Sequence, residues 1–267
     1  MRDSIWQLKN NYNHMKTIDE VLLCMDQIVE ECRSDQSRIG YFAILYRQVT
    51  RRIRDGILAG EFEDNPRMEK LDILFAGRFI DAYEMWKKGE KPTKSWFLAF
   101  EASKGSKHLV LQHLFLGINA HINLDLGISA ADTMGTEPIA GIQNDFNKIN
   151  AVLAELVDGV KSNISTVSPI FGWLIPLVKG RDEMLLNFSI QLARDGAWKY
   201  AGEYYACEDR AASILERDMA IAKLANRLIS PGKFLLFMVK LVGFAEWKSV
   251  VRTMDQLDIV VKKAQTI

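Results

Sequence analysis

His121 and Asp125 stand four residues apart in the run HLFLGINAHINLDL, residues 113–126. On a helix that spacing places an imidazole and a carboxylate one turn apart on one face. Two chemistries follow. The pair can grip a divalent metal (zinc, iron or manganese), or His121 can act as a general base oriented by Asp125. His113 and Gly117 continue the same seam at the same spacing. His113 lies about 12 Å from His121 along the axis of a regular helix, at about 1.5 Å per residue. It is therefore read as an acid–base or substrate contact, not as a second ligand of the same ion. Gly117 has no side chain and leaves a notch that a ligand or another helix can enter. A parallel seam carries Gln112, Asn119 and Asn123, and Asn119 is expected in a catalytic group with His113 and His121, holding substrate or orienting the groups that do.

A catalytic zinc takes three protein ligands and keeps one position open. Asp145, in NDFNKIN, is the first choice for a third ligand beside His121 and Asp125; Asp81 and Glu84 are the second. Arg78 in FAGRFIDAY and Arg194 in IQLARDGAWKYA are charges set among apolar and aromatic neighbours. Such a charge needs a partner, either a core carboxylate such as Asp125 or the acidic group of a ligand, so both arginines are candidate substrate contacts. Asp72 is another possible partner of Arg78. Trp96 and Trp198 read as packing residues. With water activated by a metal, the expected reaction is hydrolysis. No G-x-S-x-G, P-loop or G-x-G-x-x-G run occurs, and no E-x-x-H pair of the carboxylate-bridged di-iron kind.

The helix that must carry these groups is apolar nearly all round, the pattern of a helix buried at the centre of a bundle. Polar groups there cost a few kcal/mol each unless they are partnered. The seams are either satisfied by neighbouring helices or built for a ligand. Around this central segment, about residues 107–131, the helix signals recur along the chain. TIDE at Thr17 to Glu20 fits a capping box opening a run to Cys32, and a second run covers about 37–58 and closes at Gly60. Asn65 and Pro66 open a third that ends at Lys87-Lys88-Gly89, and a shorter one follows at about 93–104. Later runs cover about 138–159, 166–178, 181–205, 208–228 and 231–265. No alternating strand of useful length appears. The expectation is an all-α single domain over residues 1–267, a bundle of about nine or ten helices, with residues 1–16 loosely attached.

Lys plus Arg equals Asp plus Glu at 34 each, so no global field draws in nucleic acid or an anionic surface. Cys24, Cys32 and Cys207 are odd in number and form no C-x-x-C, the usage of free thiols in a reducing compartment. The first sixteen residues lack an apolar core and a cleavage site, and VSPIFGWLIPLV and FLLFMVKLVGFAEW are too short, or broken by Pro or Lys, to span a bilayer. A cytoplasmic protein without a membrane span is expected. Aromatic groups at Phe171, Trp173 and Phe234 to Phe237, with the notch and the arginines, give an alternative to the metal-dependent hydrolase: a non-catalytic binder of a small apolar or amphipathic molecule. A third reading is a structural polar core with function elsewhere.

LGINAHINLDL resembles the mark L-G-x-N-A-H-I-x-x-D-L of an uncharacterised bacterial and fungal family, a domain of unknown function. LYRQVTRRI at 45–53, MEKLDILFAGRF at 68–79, DFNKIN at 145–150 and ARDGAW at 193–198 are similar to it as well. The resemblance covers about residues 40–205. It implies a shared centre of Asn119, His121 and Asp125, and no particular activity. His121-x-x-x-Asp125 also resembles one H-x-x-x-D pair of the all-helical, zinc-dependent phospholipase C and P1-nuclease group. The further histidines and the N-terminal Trp amine of that group have no counterpart here.

Overall fold

The structure is a computed structural model that describes residues 15–169, 190–232, 239–240 and 242–264. All its regular elements are helical. Helix α1 (Ile18–Ser34) starts where Thr17 Oγ1 accepts the Glu20 amide, and α2 (Ile39–Leu58) ends before Gly60, whose φ of 71° needs a glycine. Helix α3 (Asn65–Lys87) is capped by Asp64, one residue earlier than the sequence suggests, because Asn65 Oδ1 instead accepts the Phe62 amide. Helix α4 (Lys94–Ser103) is capped from a distance: the Asp218 carboxylate accepts the amides of Lys94 and Ser95.

The central segment begins with α5 (Val110–Ala120), widens into a π-turn (His121–Leu126) and continues as α6 (Gly127–Met134). It was expected as one regular helix over 107–131. It starts later, where the Glu246 carboxylate accepts the Val110 amide, and it is not regular. A 3-10 turn (Ile139–Ile142) leads into α7 (Gln143–Val167), followed by α8 (Ile190–Tyr205), α9 (Arg210–Ile229) and α10 (Val250–Ala264). Pro138 therefore opens a 3-10 turn and not the long helix itself. The expected helix over 231–265 is interrupted near Trp247, whose amide donates to Val167 O. The N-terminal segment to residue 14, most of the run at 166–178, the first part of the run at 181–205, and the aromatics Phe171, Trp173 and Phe234 to Phe237 lie outside the described residues.

The stretch Val110–Met134 is long and apolar enough to cross a membrane by length and composition, but 94% of its most apolar window is buried inside the protein. Helices α2, α3, α4, α8 and α9 pack around it. Leu114, Leu116, Leu124 and Leu126 are withdrawn from solvent, each worth about 1.5–3 kcal/mol. This is a core helix: a large apolar core joins most of it to residues from Ile18 to Leu257, and Leu124, Ile128 and Ala131 pack in a second cluster with Tyr200, Tyr204 and Ile221. Gly127 lets α8 come close: a Cβ there would sit 2.8 Å from Ala197 O. At the far side, Arg47 of α2 spans Asp26 of α1 and Asp258 of α10, with 2.7 Å contacts to both.

Candidate functional site

Asp125 is the electrostatic centre of the π-turn. Arg78 Nε of α3 donates to its Oδ1 at 2.7 Å, and Trp96 Nε1 of α4 donates to its Oδ2 at 2.8 Å. Burial alone would push this carboxyl up, but the Arg78 charge and His121 opposite it pull it further down, so it stays ionised. Arg217 Nε of α9 donates to Asn123 O inside the widened turn. An outside donor on a backbone carbonyl is one of the recognised causes of a break in the regular ladder.

The His121 ring stacks on Phe75, with centroids 3.6 Å apart and planes within 8°, and meets Tyr46 edge-on at 4.1 Å. Its Nδ1 lies 3.5 Å from Asp125 Oδ2, and neither ring nitrogen makes a hydrogen bond. Burial holds its pKa down more strongly than Asp125 holds it up, so the imidazole is neutral.

Beyond His121 opens a cavity of about 490 Å³. Phe42, Tyr46 and Leu45 of α2 wall one side, Met68, Asp72 and Phe75 of α3 the next. Leu114, Ile118 and Ile122 of the central segment and Ile149, Leu153 and Ile164 of α7 face them, and Arg194 enters from α8. The walls are otherwise aliphatic and aromatic, yet three polar groups on them are buried and unbonded: both oxygens of Asp72, Tyr46 Oη and the two nitrogens of His121. Thr50 stands near Tyr46 Oη without the geometry of a hydrogen bond. Burial raises the Asp72 carboxyl to about 8, with Glu69 adding to the rise.

The family of unknown function DUF5995 has a model that matches residues 18–231. The chain belongs to this family. The DUF5995 match takes in every residue of the cavity wall and the whole Asp125 cluster. No curated protein and no solved structure matches the chain.

In this DUF5995 chain the two polar seams of the central segment have different partners. Gln112, Asn119 and Asn123 face α9: Gln112 donates to Leu228 O, Asn119 donates to Ile221 O, and Asn123 donates to Asn119. That seam is a hydrogen-bonded seal between helices, and it places Asn119 away from the cavity wall. The other seam faces α2, α3 and α4. The notch at Gly117 is filled by the Phe42 ring, since an added Cβ would lie 2.4 Å from it. His113 packs edge-on against Tyr41, and burial takes it down to about 3, further lowered by nearby His108 and Arg38.

Of the expected site residues, the fold brings together His121, Asp125 and Arg78, and sets Arg194 on the same cavity as His121. It does not bring in Asp145. That carboxylate accepts the amides of Glu63 and Asp64 at 2.7 and 3.1 Å and ties the start of α7 to the start of α3. Among the described residues no three His, Cys, Asp or Glu side chains gather in a way that could hold a metal ion. Asp125 has both oxygens engaged by Arg78 and Trp96, and Asp145 accepts two backbone amides. Asp81 is buried and raised to about 7, by burial first, while Glu84 pairs with Lys88 at 3.7 Å. Arg194 donates to Asn150 Oδ1 and Phe146 O and lies 4.5 Å over the Phe146 ring. Sequence reasoning missed Tyr46 as a wall residue, Trp96 as the second donor to Asp125, and Asp72 as a free acid. A helical wheel of α3 offers one signal: Asp72 and Phe75 are three residues apart, so an acid shares the face of an aromatic.

Proposed function

We propose that the protein binds a small, mainly apolar molecule in the cavity beside His121. The observation that carries this reading is a volume of about 490 Å³ with almost wholly apolar walls on which a few polar atoms stand unbonded. Ligand sites have that composition, and their volumes run from about 300 to 1,000 Å³. An apolar cavity of about 150 Å³ already admits benzene. An apolar occupant would withdraw these walls from water. The hydrolase expectation has less in its favour, because its ligands His121, Asp125 and Asp145 are stacked, clamped and spent on capping.

The test is uptake of a neutral apolar fluorophore, N-phenyl-1-naphthylamine, by the parent protein and by Ile118→Trp, which fills the cavity. Saturable fluorescence enhancement in the parent, lost in a variant that melts at or above the parent's temperature, supports the reading. Equal uptake by both proteins, or none by the parent, overturns it.

A further inference from the structure

Asp72 is, among the described residues, the carboxyl with both oxygens buried and unbonded. It is 2% exposed, both carboxyl oxygens lack a hydrogen-bond partner, and the side chain lines the cavity. A buried acid costs several kcal/mol unless it is paired or bonded, and an apolar residue of the same size would spare the fold that cost. Among the described residues, Asp125 is engaged by Arg78 and Trp96, Asp145 and Asp218 by backbone amides and Glu246 by Val110 N and Ser168; Asp81 leaves one buried oxygen, Oδ2, unbonded, but it does not line the cavity.

The acid does not stand alone on the wall. Phe75, one turn along the same face of α3, lies 5.6 Å from Tyr46 and 3.6 Å from His121. Tyr46 and His121 are themselves 4.1 Å apart, ring to ring. Asp72 is close enough to Tyr46 for its charge to raise the phenol further above its ordinary value, after burial. One patch of the cavity thus offers a carboxyl, a phenol oxygen and the unprotonated nitrogen of a neutral imidazole, all without donors. Resting on the ligand-binding reading, we infer that the molecule bound here carries an alkylammonium head, anchored on Asp72 with Tyr46 and His121 beside it and its hydrocarbon body in the apolar remainder.

An ammonium brings three N–H donors and a positive charge, and charge-assisted bonds are about twice as strong as neutral ones. A carboxylate ligand suits the site less. Arg194, a cation on the same wall, already has two protein oxygens as acceptors. An ammonium converts Asp72 from a neutral acid to its carboxylate, so binding releases one proton. The charged and titratable groups beside Asp72 or on the same wall are Glu69 on its own helix, Tyr46 from α2, His121 from the π-turn and Arg194 from α8. Burial holds the His121 imidazole neutral and raises the Tyr46 phenol, so the proton released comes from Asp72, and amine affinity rises by up to about tenfold per pH unit towards pH 8.

Calorimetric titration of the full chain with decylamine, decanol and decanoate tests the inference. Decylamine is expected to bind at least about tenfold more tightly than either of the others, the return on a charge-assisted bond. Asp72→Asn should reduce it to the level of decanol, with a thermal melt confirming that the variant is folded. Decanol or decanoate binding as tightly as decylamine overturns the ammonium head and leaves the cavity reading intact. Failure of all three, together with failure of N-phenyl-1-naphthylamine, overturns both.

Discussion

The Arg78 guanidinium meets the Asp125 carboxylate at 2.7 Å, with side-chain exposures of 11% and 1%. The contact joins α3 to the one irregular turn of the central segment. Such a pair contributes little net stability, because the desolvation of two charges offsets their attraction. Removing one member is different, since the other charge then stays buried. Asp125→Asn is expected to lower unfolding free energy by about 3–5 kcal/mol, while the double variant Arg78→Met with Asp125→Leu recovers most of the loss. Urea unfolding of the three proteins checks this. A double variant as unstable as the single one would mean that the charges are needed for the turn itself.

The buried titratable groups give stability a particular pH dependence. Burial holds Asp72 up to about 8 and Asp81 up to about 7, against ordinary values near 4. It holds His113 down to about 3 and lowers His121. Between about pH 4 and 6.5 the native acids carry protons that the unfolded chain has lost, and the native histidines lack protons that it has gained, so the two effects oppose each other. Above about 6.5 the histidines are neutral in both states and the acids act alone. The native state then binds more protons than the unfolded state, and stability falls as pH rises towards 8. Asp72 accounts for about 2 kcal/mol of that fall at 1.36 kcal/mol per unit. Urea midpoints at several pH values should show a decline that Asp72→Asn largely removes. Identical slopes for parent and variant would refute the assignment.

Gly117 is a packing residue under this structure, not an open notch. Gly117→Ala sets a methyl carbon 2.4 Å from Phe42, so a large buried ring must move. Overpacking of this kind costs about 1–3 kcal/mol. Because Phe42 also lines the cavity, fluorophore affinity should fall with it. Phe42→Leu added to Gly117→Ala should regain stability, as read by thermal melting. Were the single variant as stable as the parent, the tight fit of α2 on α5 would be disproved.

The all-helical class and the burial of the central segment could be read from the sequence, because apolar residues on every side of residues 109–124 leave no face for solvent. Arg78 and Asp125 could be read as groups in need of partners for the same reason. Their pairing to each other needed the fold, since Asp72 was as good a candidate by spacing and proved to have no bond at all. The second seam was misjudged for a physical reason: a helical wheel shows that Asn119 and Asn123 lie on one side, but not that Ile221 O and the Arg217 side chain of α9 meet them there. The π-turn left no mark in the residue pattern, because an external donor on Asn123 O comes from a helix far along the chain. The cavity was equally hidden. Periodicity reports which side chains turn inward, not whether they fill the space that they enclose.

The membrane-like character of Val110–Met134 also bears on how the chain is made. Asn119 finds its acceptor at Ile221 O, 102 residues later, and synthesis at about 5–20 residues per second takes about 5–20 s to cover that distance. During that interval this apolar stretch has left the ribosome while the helix that seals one side of it does not yet exist. The nascent chain thus passes through a period in which its future core is exposed hydrophobic surface, dependent on the already completed α2, α3 and α4, or on a chaperone, to keep it from aggregating.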